Sequence, residues 1–499
     1  MTKNKQFLSP QRLVMIITTT VFSFSSLTTA FFLMGMRALP YFIWAAVFYF
    51  IPYALIIADF TSVYKNDSGG LYQWLSDCLT ERIAFIAAFL WYCSYFVWMI
   101  SLFMKLWIPL SLLAVGQDLT KVASPLPVLT TSRLIGLLSI LAVCGTLALS
   151  SRGFKPISRL LVFSSGLMIL LVVISFGSTL LVQFLQPQQL LPHLQSSLQS
   201  PETGGQGVTV PSQLSFMIFA ITAFGGLDTV ASMVDKTGRE KRTFPRLIIT
   251  SSLLIVFCYF AGLLLWSGAL DWQQLKKDPS LHLGNLMYGL MNTAGQQLGQ
   301  ALGTGPASAA VLGQLFTRLT ALTLLASYIG LISSIFYLPL RVLVQGTPQH
   351  YWPAWVRKAN QRGIPTNALL VQGGLISFFI LAVSWGNPYV TTLYNQLTMM
   401  TNISRALPYL LVALAYPAFK RKYNSQGLLP YNLKNPQRFP LLISRSVVLT
   451  IALSIASQLC VPFIEKNYAQ TISLAMGPLF FGAVGALLYQ RFFNKDVAE

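Results

Sequence analysis

The sequence predicts an all-α integral membrane protein of about twelve transmembrane helices, built as two inverted repeats of five spans plus two C-terminal spans. Three observations carry that expectation. The 499 residues are 54% hydrophobic and only 10% charged, with a mean hydropathy of +0.61. Soluble chains average about 25% charged residues. Apolar windows of about 19 residues, enough to cross a hydrocarbon core, recur along the whole chain. Two of these windows, five apart, carry residues that a membrane helix does not tolerate cheaply.

The windows fall at 12–35, 39–63, 83–113, 132–150, 157–183, 213–235, 246–269, 308–340, 366–386, 390–416, 441–464 and 469–491. The first is too long for the apolar region of a secretory signal, and no small-residue cleavage site follows it. The longest connections, 184–212, 270–307 and 417–440, are too short and polar to form domains of their own. The expected organisation is a tail at 1–11, a first repeat at 12–183, a second repeat at 213–416, a final pair of spans at 441–491 and a tail at 492–499.

A net charge of +20 raises the question of nucleic acid. Its distribution answers otherwise. With the N-terminus in the cytoplasm, the inner ends and loops hold 25 Lys and Arg and the outer side holds six. That asymmetry is the positive-inside pattern of a multi-pass protein of the cell (plasma or inner) membrane, with both termini cytoplasmic. The basic residues set topology and meet anionic lipid. The five cysteines are scattered with no CxxC pair, so neither a disulfide framework nor a metal site is expected. The three histidines, His193, His282 and His350, all fall in connections. A membrane enzyme would need a base and a nucleophile at defined depth, and no span supplies a histidine for it. No cofactor is expected.

Span 1 contains TTTVFSFSSLTT at 18–29, where eight of twelve residues are Ser or Thr. Lone hydroxyls in a membrane helix bond back to their own backbone. Eight together offer partners to a backbone that has left its helical ladder. Span 6 contains ITAFGGLDTVAS at 221–232, with Gly225 and Gly226 followed by Asp228. An aspartate in hydrocarbon costs about 2.5–3.5 kcal/mol on an insertion scale. The plainer reading is that the glycines only let helices pack closely. An odd number of spans between equivalent positions inverts the second copy. Interrupted helices at matching places in inverted halves therefore point to a transporter site near the midplane. The half-helix N-termini there suit a carboxylate.

Three motifs in order carry a resemblance. Ala58-Asp59 followed by GGLYQW at 69–74, FGGLDTVASMVDKTGREKRTFP at 224–245, and NQRGIPTNA at 360–368 resemble those of the amino acid–polyamine–organocation transporters. Within that superfamily they resemble the glutamate/GABA antiporter family and its YjeM-like branch. The resemblance runs nearly end to end. It implies the LeuT-like fold, with discontinuous spans 1 and 6 and alternating access. Spans 1, 3, 6, 8 and 10 would surround an amino-acid substrate, with glutamate/GABA-type exchange and a coupling proton. The substrate-binding residues it implies are Thr20, Ser23, Phe24, Ser25, Phe224, Gly225, Gly226, Asp228, Arg318 and Asn402, with Asp228, Arg405 and Lys105 in coupling or gating. Ser23-Phe24-Ser25 would be the unwound segment of span 1. The sequence departs from the pattern at Asp59 and Asp228, which replace glutamates, and in lacking a mid-depth lysine on span 5. The last puts lysine-based proton coupling in doubt. The alternatives are a receptor or channel on the same fold, or a transporter of another small zwitterion.

The charged residues inside spans each have two readings. Asp228 either caps amides freed at the Gly-Gly break or re-pairs during transport. Arg318 shares with Gln314, Thr317 and Ala321 a helical spacing that would make one polar or small face of span 8. Its guanidinium suits bidentate capture of a carboxylate or pairing between helices. Arg405 ends a stripe of Asn395, Thr398 and Asn402 that should face the bundle. Lys105, in line with Ser94, Trp98 and Ser101, is expected to snorkel toward the outer interface. With two arginines and no acidic residue on those stripes, the expected substrate has an acidic or neutral-polar side chain.

Overall fold

The computed structural model describes residues 9–64, 70–122, 124, 129–198, 210–231, 243–278, 281, 284–386, 388–424 and 438–496. Among the described residues the regular structure is helical and no strand occurs. Nine helical stretches there are long and apolar enough to cross a membrane. The first, Pro10–Val63, runs through expected spans 1 and 2. A shorter apolar helix, Phe216–Thr229, lies at expected span 6, and the helix Pro388–Asn424 lies at expected span 10. Span 3 is Glu81–Lys105 continued by Trp107–Val115, span 5 is Phe154–Leu185, span 7 is Thr243–Ala269 and span 8 is Pro306–Gln345. Spans 9, 11 and 12 are Thr366–Ser384, Arg438–Ile464 and Tyr468–Asp496.

Span 2 shows how one residue shapes a membrane helix. A π turn at Ala46–Phe50 precedes Ile51–Val63, with Pro52 in its first turn. Proline has no N–H, so the carbonyl four residues earlier loses its ladder partner. That carbonyl belongs to Phe48, and Ser446 of span 11 donates its hydroxyl to it at 2.7 Å. The bulge is thus satisfied from a neighbouring helix, as lipid requires.

The connections hold more order than their polarity predicts. Helices occupy Gly70–Cys78, Pro187–Leu198, Trp272–Lys277 and Leu286–Ala301. Trp272 donates its indole N–H to the Phe31 carbonyl at 2.7 Å and the Phe32 carbonyl at 3.1 Å. It thereby covers the last turn of span 1, adding a second donor to the Phe31 carbonyl that already accepts from the Gly35 amide.

At the end of the bundle carrying the 2–3 and 10–11 connections, charged pairs tie the helices. Lys420 of span 10 lies 2.8 Å from Asp59 of span 2, with side chains only 4% and 3% exposed. Tyr416 donates to the same Asp59 oxygen at 2.7 Å, while Oδ1 is buried without a partner. Asp77, on the helix Gly70–Cys78, receives Lys422, Tyr423 and Tyr64. Partial burial would raise the Asp77 carboxyl, but those three donors hold it below the usual carboxylate range.

Candidate functional site

Span 1 leaves the helix after Val21 and re-enters it at Phe24, so Phe22 and Ser23 are the extended residues. The unwound segment therefore lies about one residue before the expected Ser23-Phe24-Ser25. Phe24 and Ser25 instead open the second half-helix, where their amides have no partner in the ladder. Ser23 caps that helix, its hydroxyl accepting from the Ser26 amide at 3.1 Å.

The Ser23 amide donates to the Tyr259 hydroxyl of span 7 at 3.2 Å. The same hydroxyl donates to the Ala223 carbonyl, at the end of the first half of span 6, at 2.9 Å. One fully buried phenol thus satisfies a backbone donor at one break and a backbone acceptor at the other. Tyr259→Phe leaves both groups without it. A buried polar group left unpaired costs about 1–3 kcal/mol. The expected outcome is a loss of at least that size in unfolding free energy, measured in detergent. An unchanged unfolding midpoint would show that other groups hold the breaks.

Span 6 breaks at Phe224–Gly226, between Val210–Ala223 and Leu227–Ala231. Gly226 has φ +122°, a conformation that L side chains rarely adopt, and a Cβ there would lie 3.4 Å from the Thr20 carbonyl oxygen. The two breaks therefore pass against each other, and glycine is what the positive φ of this turn requires.

A cavity of about 350 Å³ lies at this crossing. Ligand pockets run from about 300 to 1,000 Å³. Its walls come from both breaks, from spans 3, 5 and 8, and from Arg405 of span 10. Of the expected site residues, Thr20, Ser23, Phe24, Ser25, Gly225, Gly226, Lys105 and Arg405 line it. Among the described residues, the formal charges in the lining are Lys105 and Arg405, and no carboxylate contributes. Arg405 sits over the ring of Tyr95 and the ring of Trp98, 4.9 Å from each centroid. Stacking of that kind holds a planar guanidinium while its donors stay available.

Three expected residues are elsewhere. Phe224 is buried against Phe50, with ring centroids 4.6 Å apart, and does not line the cavity. Arg318 is exposed, with its guanidinium near Gly116 beyond the end of span 3. The face expected for Gln314, Thr317, Arg318 and Ala321 divides: Thr317 and Ala321 are buried, while Gln314 and Arg318, one turn apart, share an exposed strip. Asp228 is only 5% exposed and lies behind the lining. The side chain of Asn402, like those of Asn395 and Thr398, falls outside the described residues.

Asp228 does not cap the Gly-Gly break. Its Oδ2 accepts from the Trp91 indole and from the Tyr95 hydroxyl at 3.0 Å, and its Oδ1 accepts from the Tyr409 hydroxyl at 2.8 Å. Span 6 is thereby tied to spans 3 and 10. Arg405 reaches this carboxylate through Tyr95, donating to its hydroxyl at 3.4 Å. Trp91, Tyr95, Tyr409 and Tyr259 are the site residues that the search for charges and hydroxyl runs missed. The signal for two of them was present. Trp91, Tyr95 and Trp98 recur at helical spacing along span 3, with polar heads turned to one side.

Comparison with known proteins bears on this geometry. The amino acid permease family profile matches residues 8–484. The chain is 32% identical over 491 residues to the inner membrane transporter YjeM of Salmonella typhimurium, covering 98% of this chain and 96% of that one. It is 24% identical to the aspartate/glutamate permease AcaP of Lactococcus lactis, over 75% of this chain and 71% of that protein. A crystal structure of a mutant manganese transporter from Eremococcus coleocola aligns over 98% of this chain and 95% of its own, at a TM-score of 0.53 and 16% identity. That last likeness is one of fold. With a family profile spanning almost the whole chain, and interrupted spans 1 and 6 meeting at a cavity, this protein belongs to the amino acid permease family of the amino acid–polyamine–organocation superfamily.

Proposed function

We propose that this membrane transporter is a secondary active amino-acid carrier working by alternating access, with the cavity at the crossed breaks as its substrate seat. The amides of Phe24 and Ser25 take the substrate α-carboxylate at a half-helix N-terminus. Carbonyls at the end of the first half of span 1, beside Thr20, take the ammonium. Arg405, stacked on Tyr95 and Trp98, reads the side chain, and Lys105 raises anion concentration at the mouth. The observation that carries this reading is a stacked guanidinium on a cavity with no lining carboxylate among the described residues. Similarity to the aspartate/glutamate permease AcaP supports the same substrate class. The preferred substrate is then acidic or neutral-polar, and the exchange is of glutamate/GABA type.

In this reading spans 1, 2, 6 and 7 rock against 3, 4, 8 and 9. Asp228 is a coupling residue, because its bonds to Trp91 and Tyr95 of span 3 cross the moving boundary. Both termini lie in the cytoplasm of the cell bounded by this membrane, as the split of 25 to six basic residues supports. A small neutral zwitterion is the second reading. It is favoured by the Arg405–Tyr95–Asp228 chain, which already supplies a counter-charge.

Counterflow separates the two. Proteoliposomes loaded with unlabelled glutamate are given labelled glutamate, GABA, arginine, leucine or alanine. Glutamate entry, competed by GABA, is the expected result. Uptake of leucine or alanine with glutamate neither entering nor competing would select the zwitterion reading. No counterflow of any amino acid would remove both.

A further inference from the structure

A second cavity, of about 490 Å³, lies between spans 3, 8, 9 and 12 and the 8–9 connection. It shares no lining residue with the cavity at the breaks. We propose that it holds one acyl chain of an anionic phospholipid, whose phosphate rests on Arg491.

The floor excludes a polar guest. Gln372, 1% exposed, is the polar side chain there, and it is engaged at both ends. It accepts from the Tyr92 hydroxyl at 2.9 Å and donates to the Phe336 carbonyl at 2.9 Å. The Tyr351 hydroxyl donates to Glu81 at 3.4 Å, and His350 and Arg491 stand at the exposed rim. The inner walls are otherwise aliphatic and aromatic and do not offer the two to four polar partners a trapped water needs. What fills the space is therefore hydrocarbon.

The side opens to lipid. Val371 and Leu375 of span 9 line the cavity and are 44% and 48% exposed, and Trp355 at the connection is 56% exposed. Span 9 continues outward with Leu370 and Phe378, 55% and 63% exposed, on the surface that faces the bilayer. The long axis suits a chain. Along span 9 the lining runs from Ala368 to Leu375, and Arg491 of span 12 stands at its rim. Seven helical residues rise about 10 Å, room for the upper half of an acyl chain.

The mouth is cationic. Arg491 lines it and is exposed. The connection beside it carries Lys358 and Arg357, whose Nε is buried with no hydrogen-bond partner. Glu81 is not part of the lining; its carboxylate accepts from the Tyr351 hydroxyl at 3.4 Å. An arginine at the headgroup level, above an apolar slot and flanked by Trp352 and Trp355, matches an anionic headgroup above a buried chain.

The test uses the full chain in a neutral detergent. Retention of phosphatidylglycerol and of phosphatidylcholine with identical acyl chains is measured by native mass spectrometry. The wild type is expected to keep phosphatidylglycerol at one site about fivefold better, the scale of one basic residue at the surface. Arg491→Gln, at an exposed position, should bring phosphatidylglycerol down to the phosphatidylcholine level with an unchanged melting temperature. Leu375→Trp should fill the slot and lower retention of both. Equal retention of the two lipids by the wild type would overturn the proposal. So would an Arg491→Gln variant that keeps the preference, or a Leu375→Trp variant that keeps the lipid.

Discussion

Lys420→Met is expected to lower the unfolding free energy by about 3–5 kcal/mol, the usual consequence of removing one member of a buried ion pair. The Asp59 and Lys420 side chains are only 3% and 4% exposed, so neither charge has water to fall back on. Without Lys420, Asp59 keeps a single donor, Tyr416, on an oxygen whose twin already lacks a partner. Asp59→Asn should also cost stability, because it removes the counter-charge from a buried ammonium. The double variant decides the cause. With no charge left to strand, it should be more stable than the sum of the two losses by several kcal/mol. Additive losses would mean that the two groups do not act as a pair, and that packing of the lysine stem carries the effect. Unfolding in mixed micelles, followed by circular dichroism, gives the needed free energies.

The helices themselves were legible because hydropathy reports burial in lipid directly. Span 5 was expected at 157–183 and is Phe154–Leu185; span 9 was expected at 366–386 and is Thr366–Ser384. The breaks were legible for a different reason. Gly225-Gly226 and a run of hydroxyls are poor value to a spanning helix unless the backbone leaves it there. Side-chain direction was harder. Arg318 and Arg405 looked alike in sequence, each a lone arginine on a polar stripe. Helical rotation turns one to an exposed strip and the other onto Tyr95 and Trp98, and that rotation is set by neighbours a single span does not reveal. That Asp228 is the acceptor for Trp91, Tyr95 and Tyr409 was hidden likewise, although Trp91 and Tyr95 share a face of span 3. These partners lie more than a hundred positions away, and tyrosine and tryptophan read as ordinary core until a carboxylate is placed beside them. Tyr259 had no signal at all, since the backbone groups it satisfies exist only once both breaks have formed.

Arg405→Gln should reduce counterflow of an acidic amino acid by about ten- to a hundredfold, while a neutral amino acid loses far less. A hydrogen bond to a charged group contributes about 1.5–3 kcal/mol, and 1.4 kcal/mol is a factor of ten. The loss should appear in the concentration dependence for the acidic substrate, since the guanidinium binds the side chain and does not drive the motion. Arg405→Lys separates charge from shape. It keeps a cation but loses the planar fork and the stacking on Tyr95 and Trp98, so recovery should be partial. Asp228→Asn controls for indirect damage. Its amide puts an NH2 where a carboxylate oxygen now accepts, so the donor-only Trp91 indole loses its bond or a tyrosine hydroxyl must reverse its direction. Because span 6 is then loosened from spans 3 and 10, transport of every substrate should fall together. A uniform loss in Arg405→Gln, matching that of Asp228→Asn across acidic and neutral substrates, would assign Arg405 to the Tyr95–Asp228 tie and remove it from side-chain recognition.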